Sequence, residues 1–189
     1  MKTLHQGFEF LLRLGTILAR VFADCYKAEP LIQKFLSQKA FLKNLLLVLS
    51  NAASLQTVAQ SVRHQGIAET YSKVLLKLCQ HSPAAAQFVE LKGVQTLKTW
   101  LSNFVETGGE HYFNCLRLVV PLARSSQDVH EDLIDAGFDK LLVRHALAAS
   151  KGSFPRYFLA LKQICPREEL QVNIQFCDHL ISTVAEAFG

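Results

Sequence analysis

Apolar side chains recur at helical spacing from the first residues of the chain onward. Between Leu4 and Cys25 they fall at Leu4, Phe8, Leu11, Leu12, Leu18, Phe22 and Cys25, the stripe of an amphipathic helix. A second stripe of Phe10, Leu14, Ile17 and Val21 runs beside it, leaving a narrow polar strip of Glu9, Arg13, Thr16, Arg20 and Asp24. That spacing predicts a helix packed on two sides, with Glu9/Arg13 and Arg20/Asp24 as i,i+4 pairs.

The same texture continues. Pro30 can open a helix in PLIQKFLS, and AFLKNLLLVLSN holds too many leucines for one narrow stripe, which predicts a largely buried helix. SLQTVAQSVRHQG reads as a helix capped at Gly66, with IAETYSKVLLKLCQHS as a second helix stopping before Pro83. A short proline-led helix, PAAAQFVELKG, follows. The second half reads as HYFNCLRLVVPLARSS, QDVHEDLIDAG, FDKLLVRHALAASKG, SFPRYFLALKQIC and PREELQVNIQFCDHLISTVAEAF, with Pro121 kinking its helix or starting its last turn. No window alternates with period two for long enough to make a sheet, so the predicted fold class is all-α.

A shift of 44 residues superposes Gly93 on Gly137, Val89 on Leu133, Val94 on Phe138 and Leu97 on Leu141. Upstream it pairs Leu78 with Leu122, Cys79 with Ala123 and Ser82 with Ser126, so three successive helices share one period. On PAAAQFVELKGVQTLKTWL and QDVHEDLIDAGFDKLLVRHAL the chain resembles the armadillo-repeat family, with HEAT repeats as near neighbours. The resemblance implies a right-handed helical-repeat solenoid of about three to four repeats. It also implies a glycine at the sharp turn between a short second helix and a long third one. Such a turn favours a residue that tolerates positive φ and a close backbone approach. The flanks are degenerate: FLSQKAFLKNLLLVLSN has Ala40 and Phe41 near the glycine position, and EELQVNIQFCDHLISTV has no glycine. An irregular helical bundle with two coincidental glycines is the alternative.

Composition narrows the classes. The 189 residues suit one domain over 1–189, possibly part of a longer parent chain, with half the residues hydrophobic, five prolines and no low-complexity linker. Twenty basic against sixteen acidic side chains give a formal charge of +4, scattered without a Lys/Arg block. Glu9, Arg13 and Arg20 break the N-terminal apolar run, which opposes a signal peptide or membrane span, and Glu9 and Asp24 oppose a mitochondrial presequence. Five cysteines at 25, 79, 115, 165 and 177, without a CxxC pair, suggest reduced thiols in the cytoplasm or nucleus.

Chemistry-bearing residues are sparse. Cys79/His81 and Cys177/His179 make two Cys-x-His pairs, but i and i+2 on a helix point about 200° apart, so no metal site is expected. His130, His145 and the cysteines lack a nucleophile-elbow setting, and no glycine-rich phosphate loop is present. No enzyme activity and no cofactor are expected.

The resemblance implies that third helices line a concave groove where partners bind. It places Trp100, Asn103, Thr96, Lys140 and Arg144 there, the 44-residue shift matching Trp100 with Arg144 and Thr96 with Lys140. Asn103 beside Trp100 is similar to the Trp/Asn ladder of nuclear-import armadillo proteins, although the spacing is three and Arg144 replaces the second Trp. Core packing against Leu97, Leu101 and Phe104 is the competing role for Trp100; a solvated face is that for Lys140 and Arg144.

The expected function is a non-enzymatic interaction or scaffold module for an extended or helical protein segment. Its apolar ends suggest stacking on a parent chain or on a second copy as a homodimer. The alternative is a nucleic-acid-binding repeat using Lys73, Lys77, Lys98, Lys140, Arg144, Lys151 and Arg156 on phosphates.

Overall fold

The computed structural model describes residues 2–24, 30, 33–34, 37–55, 62–103, 110–149 and 154–165. Among them all regular structure is helical: α1 (Lys2–Asp24), α2 (Lys39–Leu55), α3 (Val62–Cys79), α4 (Ser82–Glu90), α5 (Gly93–Asn103), α6 (Glu110–Ser125), α7 (Gln127–Asp135), α8 (Phe138–Ala148) and α9 (Phe154–Ile164). The expected all-α class is what forms. The C-terminal pattern from Pro166, residues 104–109 and half of PLIQKFLS lie outside the described residues.

Helices α3 and α6 are the spine. Each packs on the other; α1 and α2 also rest on α3, and α9 rests on α6 and α8. Val74, Leu75 and Leu78 of α3 and Leu116, Val119 and Leu122 of α6 are fully buried between these layers. Leu42, Leu49, Phe88, Leu97, Leu101, Phe138 and Leu142 extend the same core, whose apolar burial is the main stabilising term.

Three expectations change. Gly66 caps nothing: α3 runs through it, its carbonyl accepting from the Thr70 hydroxyl at 2.7 Å. Buried Ile67, Ala68 and Tyr71 follow at once, so tertiary packing carries the helix past a weak former. Among the described residues helix α1 is packed on one side only. Leu11, Leu12, Leu18 and Ala19 touch the core, whereas Phe10, Leu14 and Ile17 are 65%, 37% and 57% exposed. Pro121, by contrast, lies inside α6 near the start of its last turn, where the sequence put it; it withholds an N–H from the carbonyl four residues back, and burial of the helix outweighs that loss.

The third change concerns register. The turn after α4 is built by Leu91 N–H donating to Gln87 O (3.1 Å), Lys92 N–H to Val89 O (2.8 Å) and Thr96 N–H to Lys92 O (3.1 Å). The turn after α7 repeats it with Ala136 to Asp132 (3.0 Å), Gly137 to Ile134 (2.7 Å) and Leu141 to Gly137 (3.1 Å). The left-handed residue is Lys92 (φ 60°) in one copy and Gly137 (φ 76°) in the other. Equivalent turn residues are therefore 45 apart, and matching glycine to glycine sets the third helices one residue out of step. Gly93 serves another purpose. A Cβ there would lie 2.5 Å from both the ring and the carbonyl oxygen of Phe88, so the glycine permits close approach of α4 and α5.

Candidate functional site

With the register corrected, the third helices α5 and α8 divide cleanly into inner and outer positions. Leu97/Leu142, Trp100/His145 and Leu101/Ala146 are equivalent pairs, all buried. Gln95/Lys140 and Thr99/Arg144 are the exposed pairs. Helix α2 repeats the division, with Leu45 and Leu49 inside and Lys43 and Leu47 outside, and its Leu49-Ser50-Asn51 matches Leu101-Ser102-Asn103 of α5. A row of outward positions thus runs over Lys43, Leu47, Gln95, Thr99, Lys140 and Arg144. Helices α2 and α5 are in contact, and the Lys98 ammonium lies 3.9 Å from the point where a Cβ on Gly137 would stand, which brings α5 beside the head of α8.

The five residues singled out in the sequence separate accordingly. Lys140 and Arg144 are exposed. Thr96 is half-buried, and its hydroxyl donates to the Lys92 carbonyl at 3.1 Å. Trp100 is 3% exposed and meets His111 edge-on, with ring centroids 6.1 Å apart, so core packing describes its surroundings. Asn103 ends α5, and its side chain lies outside the described residues. The residues that share the outer row with Lys140 and Arg144 are Gln95 and Thr99, which an offset of 45 would have selected.

Charge is segregated. On the third helices and α2 the ionic side chains are Lys39, Lys43, Lys98, Lys140 and Arg144 against half-buried Asp139, which sits favourably in the first turn of α8. Helix α7 gathers the exposed carboxylates Asp128, Glu131, Asp132 and Asp135. The seven cations weighed for phosphate contact do not share one helix set. Lys73 and Lys77 lie on α3 and Arg156 near the start of α9, whereas Lys98, Lys140 and Arg144 are on third helices, and Lys151 lies outside the described residues. Lys73 pairs with Glu69 at 3.0 Å; Arg156 lies 3.7 Å from Glu110 and stacks 4.0 Å over the Phe113 ring.

The interior holds polar seams that the hydrophobic pattern hid. The Tyr157 hydroxyl donates to the Tyr112 oxygen (2.9 Å), and that leaves Tyr112's own hydrogen for Nδ1 of His145 (3.0 Å). His111 Nδ1 donates to the Ala68 carbonyl (3.0 Å), and Asn114 Nδ2 donates to the Ser72 hydroxyl (3.1 Å). Burial holds both imidazoles down to about 4, helped at His145 by the Arg144 charge and opposed at His111 by the Ala68 hydrogen bond and the Glu69 carboxylate. Burial also pushes the thiols of Cys79 and Cys115 and the phenols of Tyr112 and Tyr157 upward. Side chains that are neutral, hydrogen-bonded and at most 5% exposed, as His111, Tyr112, His145 and Tyr157 are, fix the packing of α3, α6, α8 and α9; they cannot reach a substrate in bulk water.

Among the described residues no three or more His, Cys, Asp or Glu side chains group to hold a metal, and no helix is long and apolar enough to cross a membrane. The chain matches no family model, no curated protein and no solved structure.

Proposed function

We propose that this chain is a non-enzymatic protein-interaction module, a right-handed armadillo- or HEAT-like solenoid of about three to four repeats with degenerate terminal ones. The observation that carries the reading is the recurrence of a helix, short helix and third helix unit with the same turn hydrogen bonds 45 residues on. Stacked units keep their outward side chains in place before a partner arrives, so little ordering entropy is lost on binding. The outer row of Lys43, Gln95, Thr99, Lys140 and Arg144 offers hydrogen-bonding groups and positive charge to an extended or helical segment bearing carboxylates.

The test is fluorescence anisotropy with a labelled, extended Asp/Glu-rich peptide. Lys140→Glu with Arg144→Glu is expected to weaken binding roughly tenfold with an unchanged melting temperature. Unchanged affinity would remove the third helices from the interface. Nucleic acid is the competing partner, favoured by the cationic third helices; a single-stranded RNA oligomer that outcompetes the peptide would select it.

Self-association is a second reading, favoured by the exposed stripe of Phe10, Leu14 and Ile17 on α1. Light scattering at two salt concentrations separates its causes. A dimer through this stripe persists at high salt and dissolves in Ile17→Asp. A dimer that pairs the carboxylates of α7 with the third-helix cations disappears as salt rises.

A further inference from the structure

The helices α3, α6 and α9 carry a second surface, which shares no lining residue with the third-helix row. A shallow groove of ≈ 490 Å³ runs between these helices, with Leu76 of α3, Val120 and Pro121 of α6 and Leu159 of α9 along its walls. Leu159 is 63% exposed, and among the described residues outside α1 it shares that state with Leu47. Arg117 and Arg124 flank the apolar part. They are seven residues apart on α6, two helical turns or about 10.5 Å along the axis. Arg124 is positioned by its Nε, which donates to the Gln163 side-chain oxygen at 2.7 Å. Among the described residues Arg117 has no partner and no Asp or Glu lines the groove.

This combination discriminates between occupants. A guanidinium is a planar fork that matches a carboxylate, and an aliphatic anchor in a small apolar depression supplies the energy that a rim ion pair does not. A basic segment would set like charges against two arginines. A purely apolar helix would desolvate both guanidiniums without a counter-charge. Nucleic acid would find only two cations and would leave Leu76 and Leu159 uncovered. In a second copy of this chain neither described candidate fits: α7, with four exposed carboxylates, buries Val129 and Leu133 at 6% and 0%, and α1, which exposes Phe10, Leu14 and Ile17, sets exposed Arg13 and Arg20 beside its Glu9 and so brings like charge to both arginines. We infer that the groove docks an amphipathic helical segment of another protein, one that presents one or two large aliphatic residues between carboxylates spaced about two helical turns apart.

The experiment is an anisotropy titration of the full chain against a fluorescein-labelled synthetic peptide of about four helical turns, with two glutamates two turns apart and two leucines between them. Saturable micromolar binding is expected, weakened at least roughly tenfold by Arg117→Glu and by Leu159→Asp. Both positions are exposed, so the variants keep the wild-type circular dichroism and melting temperature. A peptide with lysines in place of the glutamates should bind at least roughly tenfold more weakly, and one with serines in place of the leucines should not bind measurably. Absence of saturable binding at low salt would overturn the proposal, as would wild-type affinity in Arg117→Glu and Leu159→Asp or equal affinity for the lysine peptide. Loss of binding in Lys140→Glu with Arg144→Glu but not in Arg117→Glu would move the peptide to the third-helix row. That result would overturn this site while leaving the proposed function standing.

Discussion

Lys92 occupies a left-handed backbone conformation that its equivalent, Gly137, adopts at little cost. Lys92→Gly is therefore expected to raise stability by up to about 1 kcal/mol, whereas Gly137→Ala should lower it by about 1 kcal/mol or more; urea denaturation of both variants checks the pair. The turn itself was legible in the sequence as helix, glycine, helix. Its register was not, because Gly93 is a glycine for close packing against Phe88 and not for its dihedral angle. Trp100 follows from the same slip. Set beside Arg144 it had a groove role competing with core packing; set beside His145 it is an interior residue. Trp100→Ala should cost about 3–5 kcal/mol through the cavity it leaves, measured as a lowered denaturation midpoint with an unchanged slope.

At the scale of elements, the attachment of α1 depends on one small residue. A Cβ on Gly15 would lie 2.6 Å from Tyr71 Cε2, and the Tyr71 hydroxyl donates to the Leu11 carbonyl at 3.0 Å. Gly15→Val should lift α1 from α3 and expose Leu11, Leu12 and Leu18. Hydrogen exchange is expected to quicken across α1 while α6 and α9 keep their protection; equal loss everywhere would mean that α1 is part of the cooperative core. The two apolar stripes of α1 were evident in the sequence, but which of them meets α3 was not. Periodicity identifies a face, and a glycine between the stripes does not reveal that another helix's tyrosine will lie against it. Gly66 carries the converse lesson, since a residue that commonly ends helices is carried through α3 by the burial on its C-terminal side.

For the whole molecule, stability is coupled to protons through two imidazoles. His111 and His145 have pKa values near 4 in the folded chain, against about 6.5 when unfolded. The unfolded chain binds the extra protons, so their contribution is fully present above about pH 6.5 and is lost as pH falls through 4, on the order of 3 kcal/mol for each. The melting temperature should fall across that window, less steeply in His145→Gln, which keeps an acceptor for Tyr112. The sequence by itself determined the all-α class and most helix positions, and it displayed the helix, glycine, helix echo. These are local matters, set by apolar spacing, proline and glycine. Only the tertiary structure decided the 45-residue register, the burial of Trp100 and His145, the exposed stripe of α1 and the meeting of Leu76, Arg117 and Leu159 in one groove. Those depend on which faces of distant helices come together. A single helix's pattern is compatible with several partners, and packing at fixed volume selects among them.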